Sequence, residues 1–302
     1  MPKRALLFIL CLLITVTAFA ANEKGGLRYT VTVTKFDNDA GYSSQWDLGD
    51  AWATVLTDAL NETGRFIVLG ETDMRQAAME EQDFAASGRT AGGKKAPATG
   101  QMTPAQILVK GSITHVEDNS GGGGGGISIK GIRVGARGGK AEINTTLYMV
   151  DTSTGQVLAS KSVTGEAGSR GIRIGVSRHF SGDFDAFSKD NVGKAVLASV
   201  EDAVDWMVSE LPGMRWSGTV VMNRDGKIYI NRGEREGVRA GQTFVIGESE
   251  VIRDPDTGEV LDEIMSEIAR VRVDTVREKL SIASVVSGDA DQVGEGMTVH
   301  AP

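Results

Sequence analysis

Cysteine is almost absent from this chain: of 302 residues only Cys11 carries a thiol, and it sits inside an N-terminal apolar run. The remainder therefore cannot hold a disulfide framework, a cysteine metal cluster or a thiolate nucleophile. Aromatic residues make up 6%, too few for base-stacking platforms or aromatic-lined sugar clefts. Only three histidines occur, and His115, His179 and His300 stand far apart, without the H-E-x-x-H spacing of a zinc site. Basic residues are outnumbered, 32 against 40 acidic, for a net charge of −8. That balance argues against a dedicated nucleic-acid surface, which displaces phosphate counterions with Lys and Arg. Proline is scarce at 6 residues while glycine reaches 39, so the turns are built from flexible residues.

Catalytic patterns are missing as well. No G-x-S-x-G elbow accompanies a Ser/His/Asp set. The run Gly121 to Gly126 lacks the Lys-Ser/Thr of a phosphate loop. Asp254-Pro255-Asp256-Thr257-Gly258-Glu259 is acidic, but its glycine is misplaced for a calcium loop, and a hairpin turn explains it better. No catalytic, cofactor-binding or metal-ligating residue is predicted, and the chain reads as a non-enzyme.

What is present starts with targeting. Pro2-Lys3-Arg4, an apolar stretch from Ala5 to Val16 and the small-x-small pattern ending at Ala20 form a secretory signal peptide, residues 1–20, cleaved after Ala20. The competing reading is an uncleaved anchor, but the stretch is short for a bilayer span. Cys11 follows Phe8-Ile9-Leu10 and lies too early for lipidation, so a mature chain without an acyl group is expected.

The length suggests two domains. Tyr29 to Phe36 alternates as a strand, Asp37 to Gly41 is a turn, and Leu48, Trp52, Val55, Leu56, Ala59 and Leu60 make one apolar face of a helix over Asp47 to Glu62. A strand over Arg65 to Leu69, a helix over Glu71 to Ala86, a helical turn at Thr103-Pro104-Ala105 and a strand over Ile107 to Ile113 follow. Ser87 to Gly100 is small, polar and loose. The order β-α-β-α-β predicts an α/β layer. After the glycine run come strands over Ala141 to Val150 and Val157 to Thr164, joined by a turn at Asp151 to Gln156. A helix from about Asp190 to Glu210 closes a domain of residues 21–211. Beyond Leu211-Pro212-Gly213, short strands flank Asn223-Arg224-Asp225-Gly226 and recur at about ten-residue spacing, which predicts a small all-β barrel over 214–302. The fold class is thus α+β.

Three blocks carry a resemblance: Trp46-x-Leu48-Gly49 through Val55-Leu56-x-x-Ala59-Leu60, Gly64-Arg65-Phe66-x-Val68-Leu69 and Glu81-Gln82; Ile107 to Thr114; and Val150 to Leu158. In order and spacing they resemble the curli secretion channel family (CsgG-like), over about residues 27–211. The resemblance implies a periplasmic domain that assembles into a ring with itself, exports or organises a polypeptide partner, and needs no cofactor. It also implies two extended hairpins per subunit, at about 119–149 and 160–188, that join those of neighbours in one outer-membrane barrel. Residues suited to face lipid are Ile127, Ile129, Ile143, Leu147, Ile172, Ile174 and Val176. Asn38 and Tyr42 are the residues of suitable type for a pore constriction between the first strand and first helix. Each has a plainer reading: soluble loops or sheet extensions for the hairpins, a solvated turn for Asn38 and Tyr42. The sequence thus leaves two functions open, a ring-forming envelope component of curli-type export and a soluble periplasmic adaptor without a pore, such as a cell-wall synthesis activator or a secretion or flagellar ring accessory.

Overall fold

The structure is a computed structural model that describes residues 26–91, 93, 96–100, 102–118, 127–129, 132–134, 141–167, 184–258 and 260–302. Residues 1–20, read from the sequence as a signal peptide, lie outside the described residues.

β1 (Tyr29–Val33) is buried on both sides because it is the inner strand of a mixed sheet. Tyr29, Val31 and Val33 share the face that meets the helices. Thr30 and Thr32 point the other way and satisfy their hydroxyls on the Pro104 and Gly70 carbonyls, each at 3.0 Å. Next come β2 (Asp37–Asn38), α1 (Leu48–Thr63), β3 (Phe66–Val68) and α2 (Thr72–Ala86). β4 (Ile107–Asp118) follows, then the paired β5 (Ile127–Ile129) and β6 (Ile132–Val134), β7 (Ala141–Asp151) and β8 (Val157–Glu166). The sheet order is β3-β1-β4-β7-β8. β3 and β4 run parallel to β1, and β7 and β8 are antiparallel additions. β2 continues the path of β1 along β4, at Ser112 and Ile113.

α3 (Phe184–Lys189) leads into α4 (Asn191–Glu210), which lies with α1 on one face of the sheet. The two helices are joined by Trp52 of α1, whose indole N–H donates to Ser199 of α4 at 3.0 Å. Each helix begins on an aspartate cap, Asp47 for α1 and Asp190 for α4. α2 buries no residue. Thr103 to Ala105 is not helical, contrary to the sequence expectation: Pro104 disfavours helical geometry at Thr103, and the carbonyls of Thr103 and Pro104 serve Arg75 and Thr30 instead.

The turn Leu211–Gly213 connects to a closed barrel. Its strands are β9 (Ser217–Arg224), β10 (Lys227–Ile230), β11 (Thr243–Arg253), β12 (Val260–Val276), β13 (Ser281–Gly288) and β14 (Thr298–His300), closed in the order β10-β13-β12-β11-β14-β9. Val220, Ile228, Ile230, Phe244, Ile246, Val271, Val273 and Val299 fill it, and Trp216 stacks on Phe244 at 5.0 Å. The β9–β10 turn needs two residues in the left-handed region and has Asp225 and Gly226 there. Asp254 is a hairpin-turn residue, as expected: its carboxylate accepts from the N–H groups of Asp256 and Thr257. The barrel meets the sheet where Arg28 N–H donates to Glu236 O at 2.9 Å and the Tyr29 hydroxyl to Met214 O at 2.8 Å.

Candidate functional site

The loop between β2 and α1 is anchored at both ends. Phe36 is fully buried and tilts against Trp52 with 4.2 Å between ring centroids. Gly111 and Gly49 leave the room for it, since a Cβ at Gly111 would collide with the Phe36 ring and one at Gly49 with the Phe36 carbonyl. At the far end Asp47 caps α1 through the N–H groups of Gly49 and Asp50. Lys35 bridges Asp47 and Asp50, the latter at 3.0 Å. That ammonium holds the Asp47 carboxyl below its usual range, and the two carboxylates raise Lys35.

Between the anchors the two residues read as a constriction are both engaged within the subunit. The Asn38 amide donates to the Tyr42 carbonyl at 2.7 Å. The Tyr42 hydroxyl donates to Asp118 at the end of β4, at 3.0 Å. Burial, then the Asp118 carboxylate, pushes the Tyr42 phenol up to about 12. Ala40 N–H donates to Ile113 O, and Trp46 meets Phe187 edge-on at 5.4 Å. The loop borders an open cleft of about 430 Å³ lined by Lys35, Asn38, Tyr42, Gln45 and Trp46 among others. Ser43, Ser44 and Gln45 form its exposed rim. The sequence missed Asp118 as a member, because it lies 76 residues from Tyr42 and only the pairing of β2 with β4 brings the loop alongside that strand.

The residues read as facing lipid divide three ways. Ile143 and Leu147 are 0% exposed in the sheet core, which corrects their assignment: period-two alternation turns them toward α1 and α4. Ile127 and Ile129 belong to the β5–β6 hairpin, paired with Val134 and Ile132. Ile172, Ile174 and Val176 lie outside the described residues. The sheet itself claims residues 141–149 and 160–166, so less chain remains for hairpins than the spans 119–149 and 160–188. The β4–β7 ladder ends at Asp118 opposite Ala141, so the chain between leaves and re-enters the sheet at paired positions.

Among the described residues no helix is long and apolar enough to cross a membrane, which does not bear on crossing by strands. No grouping of metal ligands forms among them either.

The family model described as the curli production assembly/transport component CsgG matches residues 15–236. The chain belongs to the CsgG family. The match runs past the span of 27–211 read from the sequence and into the barrel, as far as the Glu236 turn that braces the start of β1. Overlapping its end, the model of the C-terminal domain of flagellar assembly protein T matches residues 225–293. A search of curated proteins finds no significant match. Among solved structures, this CsgG-family chain is similar to a hypothetical protein from Chlamydia trachomatis (11% identity, TM-score 0.33, covering 62% of this chain and 96% of that one). It is also similar to the PelC dodecamer from Paraburkholderia phytofirmans (12%, 0.30, 60% and 88%) and to lipoprotein GNA1162 from Neisseria meningitidis (16%, 0.27, 62% and 99%).

Proposed function

We propose that this protein is a ring-forming component of the bacterial cell envelope that exports, or organises the export of, a polypeptide across the outer membrane in a curli-type system. The family match over residues 15–236 carries the reading. The β4–β7 ladder supports it, since its paired ends at Asp118 and Ala141 deliver a hairpin-forming segment to one end of the sheet. A cleaved signal peptide over 1–20 would send the mature chain to the periplasm without an acyl anchor. Membrane strands would then come from 119–140 and 168–183, contributed by several subunits, because open strand edges are not tolerated in lipid. In such a ring the polar rim Ser43, Ser44 and Gln45 would narrow the passage, with Asn38 and Tyr42 fixing the loop's shape from behind. The barrel over 214–302 would act as a docking module beside it.

A second reading is a periplasmic adaptor of the same fold without a pore. The match of residues 225–293 to a flagellar assembly domain favours it, as does the internal engagement of Asn38 and Tyr42. Fractionation separates the two. A detergent-extracted, heat-resistant oligomer in the outer-membrane fraction supports export, and a soluble monomer in the periplasmic fraction supports the adaptor.

A further inference from the structure

β8 is the last strand of the sheet, paired with β7 on one side only. Among the described residues, no backbone hydrogen bond joins residues 157–165 to anything on the outer side. The register says which groups face out. Ala167 N–H donates to Ala141 O at 2.8 Å, so those two form a closely bonded pair, and bonded and open pairs alternate along an antiparallel ladder. Ser160, Ser162 and Thr164 fall at open positions, with their main-chain N–H and C=O groups directed away from β7. Two of their side chains are already used along the sheet face: Ser162 bonds Thr146 at 2.9 Å, and Thr164 donates to Asn144 at 2.6 Å.

The ends of this edge differ. Toward the strand's start the register shifts between Met149 and Val150, leaving Leu158 as the extra residue of a bulge. Leu158 is 46% exposed and, with Ala159, borders a cavity of about 890 Å³ between sheet and barrel. Met214, Arg215, Thr298 and His300 are on its barrel side. Toward the end, Gly165 is pressed against α4, where a Cβ would collide with the Ala195 carbonyl. Lys161 stands exposed in the middle, between Ser160 and Ser162.

That lysine selects among occupants. A symmetric pairing of two β8 strands centred there would set Lys161 against its own copy, and like charges directly opposite oppose pairing. An inward-pointing lysine is also a common guard against sheet-to-sheet aggregation. A single extended chain with a carboxylate at that position meets no such penalty.

We propose that the outer edge of β8 is a binding site for an extended, acidic and apolar segment of a partner polypeptide, added as a further strand. Main-chain bonds at Ser160, Ser162 and Thr164 hold it, a carboxylate sits against Lys161, and an apolar side chain reaches past Leu158 into the cavity. Strand addition of this kind draws its affinity from the main chain and its selectivity from alternate side chains. The site goes beyond the export reading and does not rest on it, since a subunit that never joins a ring carries the same edge.

The probe is a dye-labelled peptide of alternating threonine and valine with one glutamate at its centre, added to the mature full-length chain. Saturating peptide slows amide exchange at Ser160, Ser162 and Thr164 by about tenfold, in proportion to the hydrogen bonds gained. Ser162→Pro removes one outward N–H at a position where an edge strand tolerates proline. It leaves the unfolding temperature within a few degrees of wild type and weakens binding by about tenfold or more. Lys161→Glu, which leaves the backbone alone, turns the preference toward the same peptide with lysine at its centre. Unchanged exchange at the three amides, a folded Ser162→Pro that binds like wild type, or a Lys161→Glu that keeps the glutamate preference overturns the site.

Discussion

Gly111 stands where β4 passes the buried ring of Phe36, and Tyr42 stands where the same strand ends at Asp118. Gly111→Ala places a methyl group against both the Phe36 ring and the Thr146 carbonyl. Overpacking of this kind costs about 1–3 kcal/mol, to be read from urea unfolding of the mature chain. Tyr42, whose folded pKa is raised, makes a pH prediction of opposite sense to that of a carboxylate whose folded pKa is lowered. Burial and the Asp118 carboxylate push Tyr42 up to about 12 from the ordinary phenol value of 10.0, so the stability its neutral phenol supplies is present below pH 10.0 and lost as pH rises toward 12. In an ultraviolet titration, Tyr42→Phe should remove a phenol that ionises near 12 and narrow the loss of stability in strong base. A Tyr42→Phe curve identical to wild type would place the high-titrating phenol elsewhere. Residue type alone marked Asn38 and Tyr42 in the sequence as candidates for a constriction. Their partners were not legible, because Asp118 and Ile113 reach the loop only through the fold.

Helix α1 was readable almost to the residue, since Asp47 and the left-handed Gly64 mark its ends and the apolar stripe has helical spacing. Asp47→Ala removes that cap and should lower stability by about 1 kcal/mol. Because Lys35 depresses the folded pKa of Asp47, the contribution is present at neutral pH and lost as pH falls through the lowered value. Thermal midpoints of wild type and Asp47→Ala should therefore differ at neutral pH and converge in acid. A gap that persists or widens there would deny the cap its carboxylate. β2, by contrast, could not be foreseen, for Asp37 and Asn38 carry turn chemistry and pair only because β4 outruns β1. β11 runs on to Arg253 past the point where the sequence pattern fades, since a register shift after Ile246 and the charges at Glu248 and Glu250 break the apolar alternation. Ile143 and Leu147 show the opposite error. Their alternation was seen correctly, but a strand buried against helices and one buried in lipid share the same pattern.

For the whole molecule, the two-part architecture was legible because the α/β order and the spacing of the later strands have different periods. The joint between the parts was not, as it depends on the Glu236 turn meeting Arg28 from afar. The ring reading makes a prediction from the alternation of Ile172, Ile174 and Val176 in the sequence. If that segment lines the membrane barrel, Ile174→Arg costs roughly 2–4 kcal/mol per subunit near the midplane and falls toward zero at the interface. Repeated around a ring, that penalty should abolish outer-membrane recovery. The central claim, that this CsgG-family chain works as a ring in the envelope, is tested most directly by imaging the wild-type protein extracted from the outer-membrane fraction. The account predicts closed rings of one uniform size that persist after heating in detergent. A wild-type chain found only as monomer in the soluble periplasmic fraction would contradict it.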